Sequence, residues 1–212
     1  MRPVVSLPQR ETTALRAPRF PILAFGGRDL SLGSVFNRDW LIPGESLLSI
    51  LWKFRCANAL PADLLVQKIL PDINPSVGAA PVRKLFKPRR LRQLLRLPES
   101  VLDMSLLDAS ASDHYHPAFR FCRQCAAHGY HSVLYQLTDE RRCPVHREAL
   151  ETLCRDCGGK TPFIINTRTI EAPFRCVACH SHFCYGRLPM VSTIPVMSRR
   201  ERAEIRRWFY CE

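Results

Sequence analysis

The chain has 212 residues, with 31 Lys and Arg against 19 Asp and Glu, a formal net charge of +12 and a pI near 9.6. A hydrophobic fraction of 46% is ordinary for a globular protein and excludes wholesale disorder, collagen-like repeats and coiled-coil fibres. No apolar run nears the ~20 residues that span a bilayer, and residues 1–6 lack the apolar core of a secretion signal, so a soluble, cytoplasmic protein without membrane contact is expected.

Residues 1–40 read as an extended segment with one or two short strands, and Arg2, Arg10, Arg16 and Arg19 as solvated terminal charges. Residues 41–113 turn helical. Leu47, Leu48, Leu51 and Phe54 recur at helical spacing after Glu45 and Ser46, with Trp52 beside them. Asn58-Ala59-Leu60-Pro61 breaks this helix, because proline disfavours the α conformation of the residue before it and suits the first turn of a new one. A second helix is expected from about Pro61 to Leu70, burying Leu64, Leu65 and Ile69. So short a turn makes an αα-hairpin, compatible with a helix-turn-helix.

A loop over residues 72–80 leads to a basic stretch, Val82 to Arg96, in which Leu91, Leu94 and Leu95 form an apolar stripe. Arg83, Lys84, Arg89, Arg90, Arg92 and Arg96 are its candidate nucleic-acid contacts, with a solvated helix face as the competing reading. A further short helix is expected from Pro98 through Leu107. The base excess is +6 up to Asp113 and +6 beyond it, so no single basic tail stands out, and 26 of the 31 bases are Arg, whose planar fork suits phosphate.

Beyond Asp113 the helical period fades and cysteines pair up. Cys122/Cys125 with Cys143/His146 read C-x2-C-x17-C-x2-H, and Cys154/Cys157 with Cys176/Cys179 read C-x2-C-x18-C-x2-C. Two residues between ligands let a tight turn point both at one ion, and an intervening hairpin would return the second pair to close a tetrahedron. The expectation is two structural Zn2+ ions in sequential modules, a crossed pairing being the alternative. A redox CxxC usually stands alone near a βαβ pattern, disulfides need a secretion route, and an Fe–S cluster fits the histidine-containing set poorly. His180, His182 and Cys184 lie near the last pair as ordinary polar or buried residues, and Cys56 and Cys211 as unpaired thiols. Four protein ligands leave no open position, and no H-E-x-x-H or deaminase pattern occurs, so no catalysis is expected; Glu140 and Glu148 read as surface charges. Thiolate charge lowers the net charge of this half, leaving the helical half as the expected polyanion face.

The fold class expected is therefore a mainly α N-terminal part with a helix-turn-helix, then two small zinc-ribbon-like modules, α+β and metal-stabilised. The expected boundaries are 1–40, 41–113, 114–188 and a C-terminal helix within 189–212.

Pro43-Gly44-Glu45-Ser46-Leu47-Leu48-Ser49-Ile50-Leu51-Trp52, with Asn58-Ala59-Leu60-Pro61, is followed by Phe121-Cys122-Arg123-Gln124-Cys125, Gly129-Tyr130-His131-Ser132, Tyr135-Gln136-Leu137, Cys143-Pro144-Val145-His146 and Cys154-Arg155-Asp156-Cys157. The first set resembles the N-terminal helix signature of the bacterial TniQ family, which includes the TnsD-type target selectors of transposons. The second set is similar to that family's zinc-binding signature in the same order. The resemblance covers about residues 40–185. It implies a helix-turn-helix followed by zinc-ribbon-like modules, in a bacterial protein that selects the target site in DNA transposition. The implied partners are DNA, a guide RNA or CRISPR effector complex, and the AAA+ transposition ATPase, with self-association open. The chain ends 33 residues past Cys179, short of the C-terminal region of TnsD-type proteins, which favours a short adaptor form. The alternative is a stand-alone zinc-containing DNA-binding regulator reading DNA with the helical pair. Tyr130, His131, Tyr135 and Gln136 are expected to pack around the first zinc module.

Overall fold

A computed structural model describes residues 40–108, 114–184 and 197–210. The expected extended segment lies outside these residues except for Trp40, and so does Cys211. The described chain is helix-rich, and its β-structure consists of isolated bridges.

Helix α1, Leu47–Asn58, begins where Ser46 Oγ accepts from the Ser49 N–H at 3.2 Å. It ends where Ala59 turns left-handed at φ 47°, and its N–H closes on the Arg55 carbonyl. Leu47, Leu48, Ile50, Leu51, Trp52 and Phe54 are all buried, so α1 is apolar on most sides and runs through the interior. Pro61 opens α2, Ala62–Ile69, whose buried face is Ala62, Leu65, Val66 and Ile69; Leu64, expected inside, is exposed. Helix α2 packs against α6, Thr167–Glu171, which also touches α1.

Helix α3, Pro88–Leu95, buries Leu91 and Leu95 and packs on α4, Glu99–Met104. The fourth helix stops short of the expected Leu107 because that residue is taken into a parallel bridge with Val82. The Leu107 N–H donates to Pro81 O at 2.8 Å, and its carbonyl accepts from the Arg83 N–H at 3.0 Å.

One buried cluster joins the helical stretch to the cysteine-rich stretch. Trp52 is its centre, with Phe174 at 4.7 Å and Phe119 at 5.5 Å between ring centroids, and its indole N–H donates to Thr169 O at 2.7 Å. Phe119, Phe121, Phe163 and Phe183 extend the cluster. Aromatic rings thus fill much of the core of the cysteine-rich stretch.

The N-terminal end of α1 is locked to the segment between the first two cysteine pairs. The Ser46 N–H donates to His131 O at 2.8 Å, and the Val133 N–H to Gly44 O at 3.0 Å. The Tyr130 hydroxyl donates to Pro43 O at 2.9 Å. Gly44 adopts φ +65°, and a β-carbon there would lie 2.1 Å from the Phe209 ring, so glycine is required twice over. Beside it, the buried Glu45 carboxylate holds Lys53 Nζ and the Ser49 hydroxyl, both at 2.6 Å, and accepts from the Ile42 N–H at 3.2 Å. Its charge is paired and hydrogen-bonded, as burial demands.

Candidate metal centres

The eight candidate ligands gather as two groups of four, Cys122, Cys125, Cys143 and His146 in one and Cys154, Cys157, Cys176 and Cys179 in the other. In each, the ligand atoms lie within 4.8 Å of one another. The pairing is sequential, and His180, His182 and Cys184 join neither group.

Three of the four pairs sit on the same local structure. Around Cys143/His146, Cys154/Cys157 and Cys176/Cys179, antiparallel bridges Arg142–Ala149, Leu153–Lys160 and Arg175–His182 close a tight turn. The residue after the second ligand is left-handed each time, Arg147 at φ 59°, Gly158 at 68° and His180 at 59°. Its N–H returns to the carbonyl of the first ligand at 2.8–2.9 Å. Amide groups also approach the sulfurs, His146 N to Cys143 Sγ at 3.5 Å, Gly159 N to Cys157 Sγ at 3.4 Å and Ala178 N to Cys176 Sγ at 3.4 Å.

The first pair differs from the ribbon-like expectation. Cys122 is the N-cap of helix α5, Arg123–Ala127, and Cys125 lies within it. The segments between pairs are not hairpins either. A 3-10 turn, Val133–Gln136, lies between Cys125 and Cys143, and α6 lies between Cys157 and Cys176. Both segments carry residues claimed by the main core, such as Val133, Ile165 and Ile170, and that packing overrides a free-standing hairpin.

The first group is enclosed. Nδ1 of His146 stands 3.4 Å from Cys122 Sγ, 3.4 Å from Cys125 Sγ and 3.6 Å from Cys143 Sγ, and the Cys125 and Cys143 sulfurs are 3.7 Å apart. The Tyr135 hydroxyl lies 3.0 Å from Cys125 Sγ and 3.3 Å from Cys143 Sγ. Burial pushes the Cys125 thiol well up, while hydrogen bonds with Cys122 and Cys125 pull Cys143 down. Burial would lower His146, but Cys122, Cys143 and Glu201 outweigh it and hold the imidazole at about 11. An ion entering here displaces protons, so its affinity falls in acid.

Glu201 is the ligand partner that spacing along the sequence does not reveal. It belongs to helix α7, Arg199–Tyr210, and its Oε1 lies 3.1 Å from His146 Nε2 and 3.7 Å from His128 Nε2. A carboxylate on the far ring nitrogen fixes the tautomer that leaves Nδ1 free for a metal. Around it, Ile205 and Met197 are buried in a cluster with Tyr130, Tyr135 and the cysteines, and Trp208 packs on Tyr135 at 5.9 Å. Glu148 is more than a surface charge, since its Oε2 lies 3.8 Å from Cys122 Sγ and its Oε1 accepts from Gln124 Nε2 at 2.8 Å.

The second group is open to solvent. Cys154 and Cys176 are buried but Cys157 and Cys179 are exposed, with Cys154–Cys179 and Cys157–Cys176 sulfur separations of 3.5 and 3.6 Å. Hydrogen bonds with the side chain and backbone of Ser181 lower Cys179 to about 6.

Of the basic candidates, Arg83, Lys84, Arg89, Arg92 and Arg96 are exposed. Arg83 and Lys84 precede α3, and the Arg83 Nε donates to Asp103 O at 3.1 Å. Arg92 faces Glu99 at 3.9 Å, and Arg96 is the left-handed cap of α3 at φ 54°. Arg90 departs from the expected outward face: it is half-buried, with Nη1 enclosed and without a hydrogen-bond partner.

Compared with protein-family models and with curated proteins, the chain matches none.

Proposed function

We propose that this is a non-catalytic, zinc-stabilised adaptor of the TniQ type. It would mark a target site in DNA transposition and bridge a DNA- or RNA-guided targeting complex to the AAA+ ATPase. The observation that carries the reading is the interlock of the two sequence signatures behind the resemblance. Pro43, Gly44 and Ser46 of one bond directly to Tyr130, Ser132 and His131 of the other. Segments 85 residues apart that share hydrogen bonds pack as one unit, which supports reading the two signatures together.

Zinc suits both centres. Zn–S bonds of about 2.3 Å and Zn–N bonds of about 2.0–2.1 Å give tetrahedral edges of about 3.8 Å between sulfurs and about 3.6 Å from sulfur to nitrogen. The sulfur separations of 3.5–3.7 Å and the sulfur–nitrogen separations of 3.4–3.6 Å lie close to these. Four protein ligands close the ion's coordination sphere and favour a structural role over hydrolysis.

The helical pair offers little to a stand-alone reader of DNA. Helix α1 is interior, and the outer face of α2 carries Asp63, Leu64, Gln67 and Lys68, whose charges cancel. The exposed Arg89 and Arg92 of α3 favour contact with phosphate instead. The test is DNA binding titrated with salt, with and without the ATPase. An adaptor binds weakly alone and gains affinity with the ATPase, whereas tight, salt-resistant binding of one site by the isolated protein would overturn the proposal.

A further inference from the structure

We infer that the outer face of α7 is a second nucleic-acid surface, one that grips the phosphate backbone of duplex DNA and is held in place by the first metal centre. The inference takes its partner from the nucleic-acid part of the reading above and is independent of α3.

Helix α7 sorts its residues by face. Arg199, Arg200, Ala203, Arg206, Arg207 and Tyr210 recur at i, i+1, i+4, i+7, i+8 and i+11, one stripe of a helix with 3.6 residues per turn, and all six are exposed. The opposite side carries the buried Ile205, with Trp208 beside Tyr135. Both acids are occupied. Glu201 accepts from the Ser198 N–H at 2.7 Å and faces His146 and His128, and Glu204 accepts from Arg200 Nε at 3.2 Å. Arg199, Arg206 and Arg207 have no ion pair or hydrogen bond with any described residue, so nothing among the described residues compensates their charge.

The chemistry of the stripe selects its partner. All four cations are Arg, whose fork fits phosphate oxygens two at a time. At a rise of 1.5 Å per residue, Arg206 and Arg207 lie about 10.5 Å along the axis from Arg199 and Arg200, so the two pairs can meet separate phosphates. A protein partner needs an apolar anchor at the centre of its interface, and the centre of this stripe is Ala203. The helix is also fixed firmly enough to present the stripe. Glu201 ties it to His146, the Arg202 guanidinium donates to Leu41 O at 3.0 Å, and Phe209 closes over Gly44.

The test replaces Arg199, Arg200, Arg206 and Arg207 together with Gln in the metal-loaded 212-residue chain. Gln is nearly as good a helix former as Arg, and the exposed positions take no part in packing. Unchanged metal content and thermal midpoint establish that the variant is folded. Binding to a random-sequence DNA duplex is then titrated with salt beside the wild type, the triple variant of Arg89, Arg90 and Arg92, and a polyglutamate competitor. The expected result is affinity at least tenfold weaker and a log–log salt slope shallower by about 2–3, each lost phosphate contact removing about 0.9. An unchanged slope with the α3 variant still weakened would overturn the α7 surface alone. No DNA binding by the wild type would overturn both readings, and loss of polyglutamate binding with DNA binding intact would make the face a protein-docking surface.

Discussion

Nδ1 of His131 lies 2.7 Å from the Ser46 hydroxyl, while Nε2 of the same ring lies 2.8 Å from the Arg120 carbonyl. Burial lowers this imidazole to about 3, despite the hydrogen bond with the Arg120 backbone. Between its ordinary value near 6.5 and about 3, the unfolded chain binds a proton that the folded chain excludes. The stability this group contributes is complete above pH 6.5 and is lost as pH falls through that window, by about 1.4 kcal/mol per pH unit. His131→Asn should cost about 1–3 kcal/mol at neutral pH through lost hydrogen bonds and flatten the acid limb. Urea melts from neutral pH down to pH 4 would show it, and parallel limbs for the two proteins would contradict it.

The left-handed position of the three matching turns gives a second prediction. Gly158 has open space around its α-carbon, so Gly158→Ala should cost about 1 kcal/mol, almost all of it backbone strain. Arg147→Gly relieves the same strain at φ 59° and should cost nothing or gain a few tenths of a kcal/mol, because glycine also loosens the unfolded chain. Denaturation midpoints of the metal-loaded variants should move in opposite directions or, for Arg147→Gly, not fall.

Ions bound at the two centres should leave at different rates. With Cys157 and Cys179 exposed and the first centre enclosed by Tyr135, Ile205 and Met197, a chelator should take one equivalent quickly and the other slowly. Cys154→Ser should abolish the fast phase and Cys122→Ser the slow one. A single phase carrying both equivalents would show that burial does not govern release.

Glu201→Ala should weaken the first centre by roughly 10–100-fold while leaving the second untouched, because the carboxylate acts through the His146 ring. Competition with a chromogenic chelator reads the first centre alone on the Cys154→Ser background and the second alone on the Cys122→Ser background.

Trp52→Ala should be the most damaging core change, at about 3–5 kcal/mol. It removes the ring between Phe119 and Phe174 and leaves the Thr169 carbonyl without its 2.7 Å donor. Trp52→Phe should recover most of the packing but not the hydrogen bond.

The ligand set was legible because a metal imposes short spacings: two residues between ligands is a rule of local geometry. The breaks at Ala59 and Pro61 were legible for the same reason. What escaped was long-range. Glu201 lies 55 residues from His146, and nothing in the local pattern marks one of two acids on a helix as its partner. The end of α4 escaped because Leu107 is claimed by a bridge to Val82, and the hairpins because Ile165 and Ile170 are claimed by the core. In each case a distant contact overrode a local preference.

Helix α7 follows all eight ligands in the chain, yet it supplies Ile205 and Glu201 to the first centre. During synthesis the four ligands therefore leave the ribosome before the helix that covers them. At about 5–20 residues per second, the 52 residues between His146 and Arg199 give an interval of about 3–10 s in which ion exchange is unobstructed. Once the helix docks, release must wait for it to lift. An ion bound there would enter on the timescale of translation and leave on that of local unfolding.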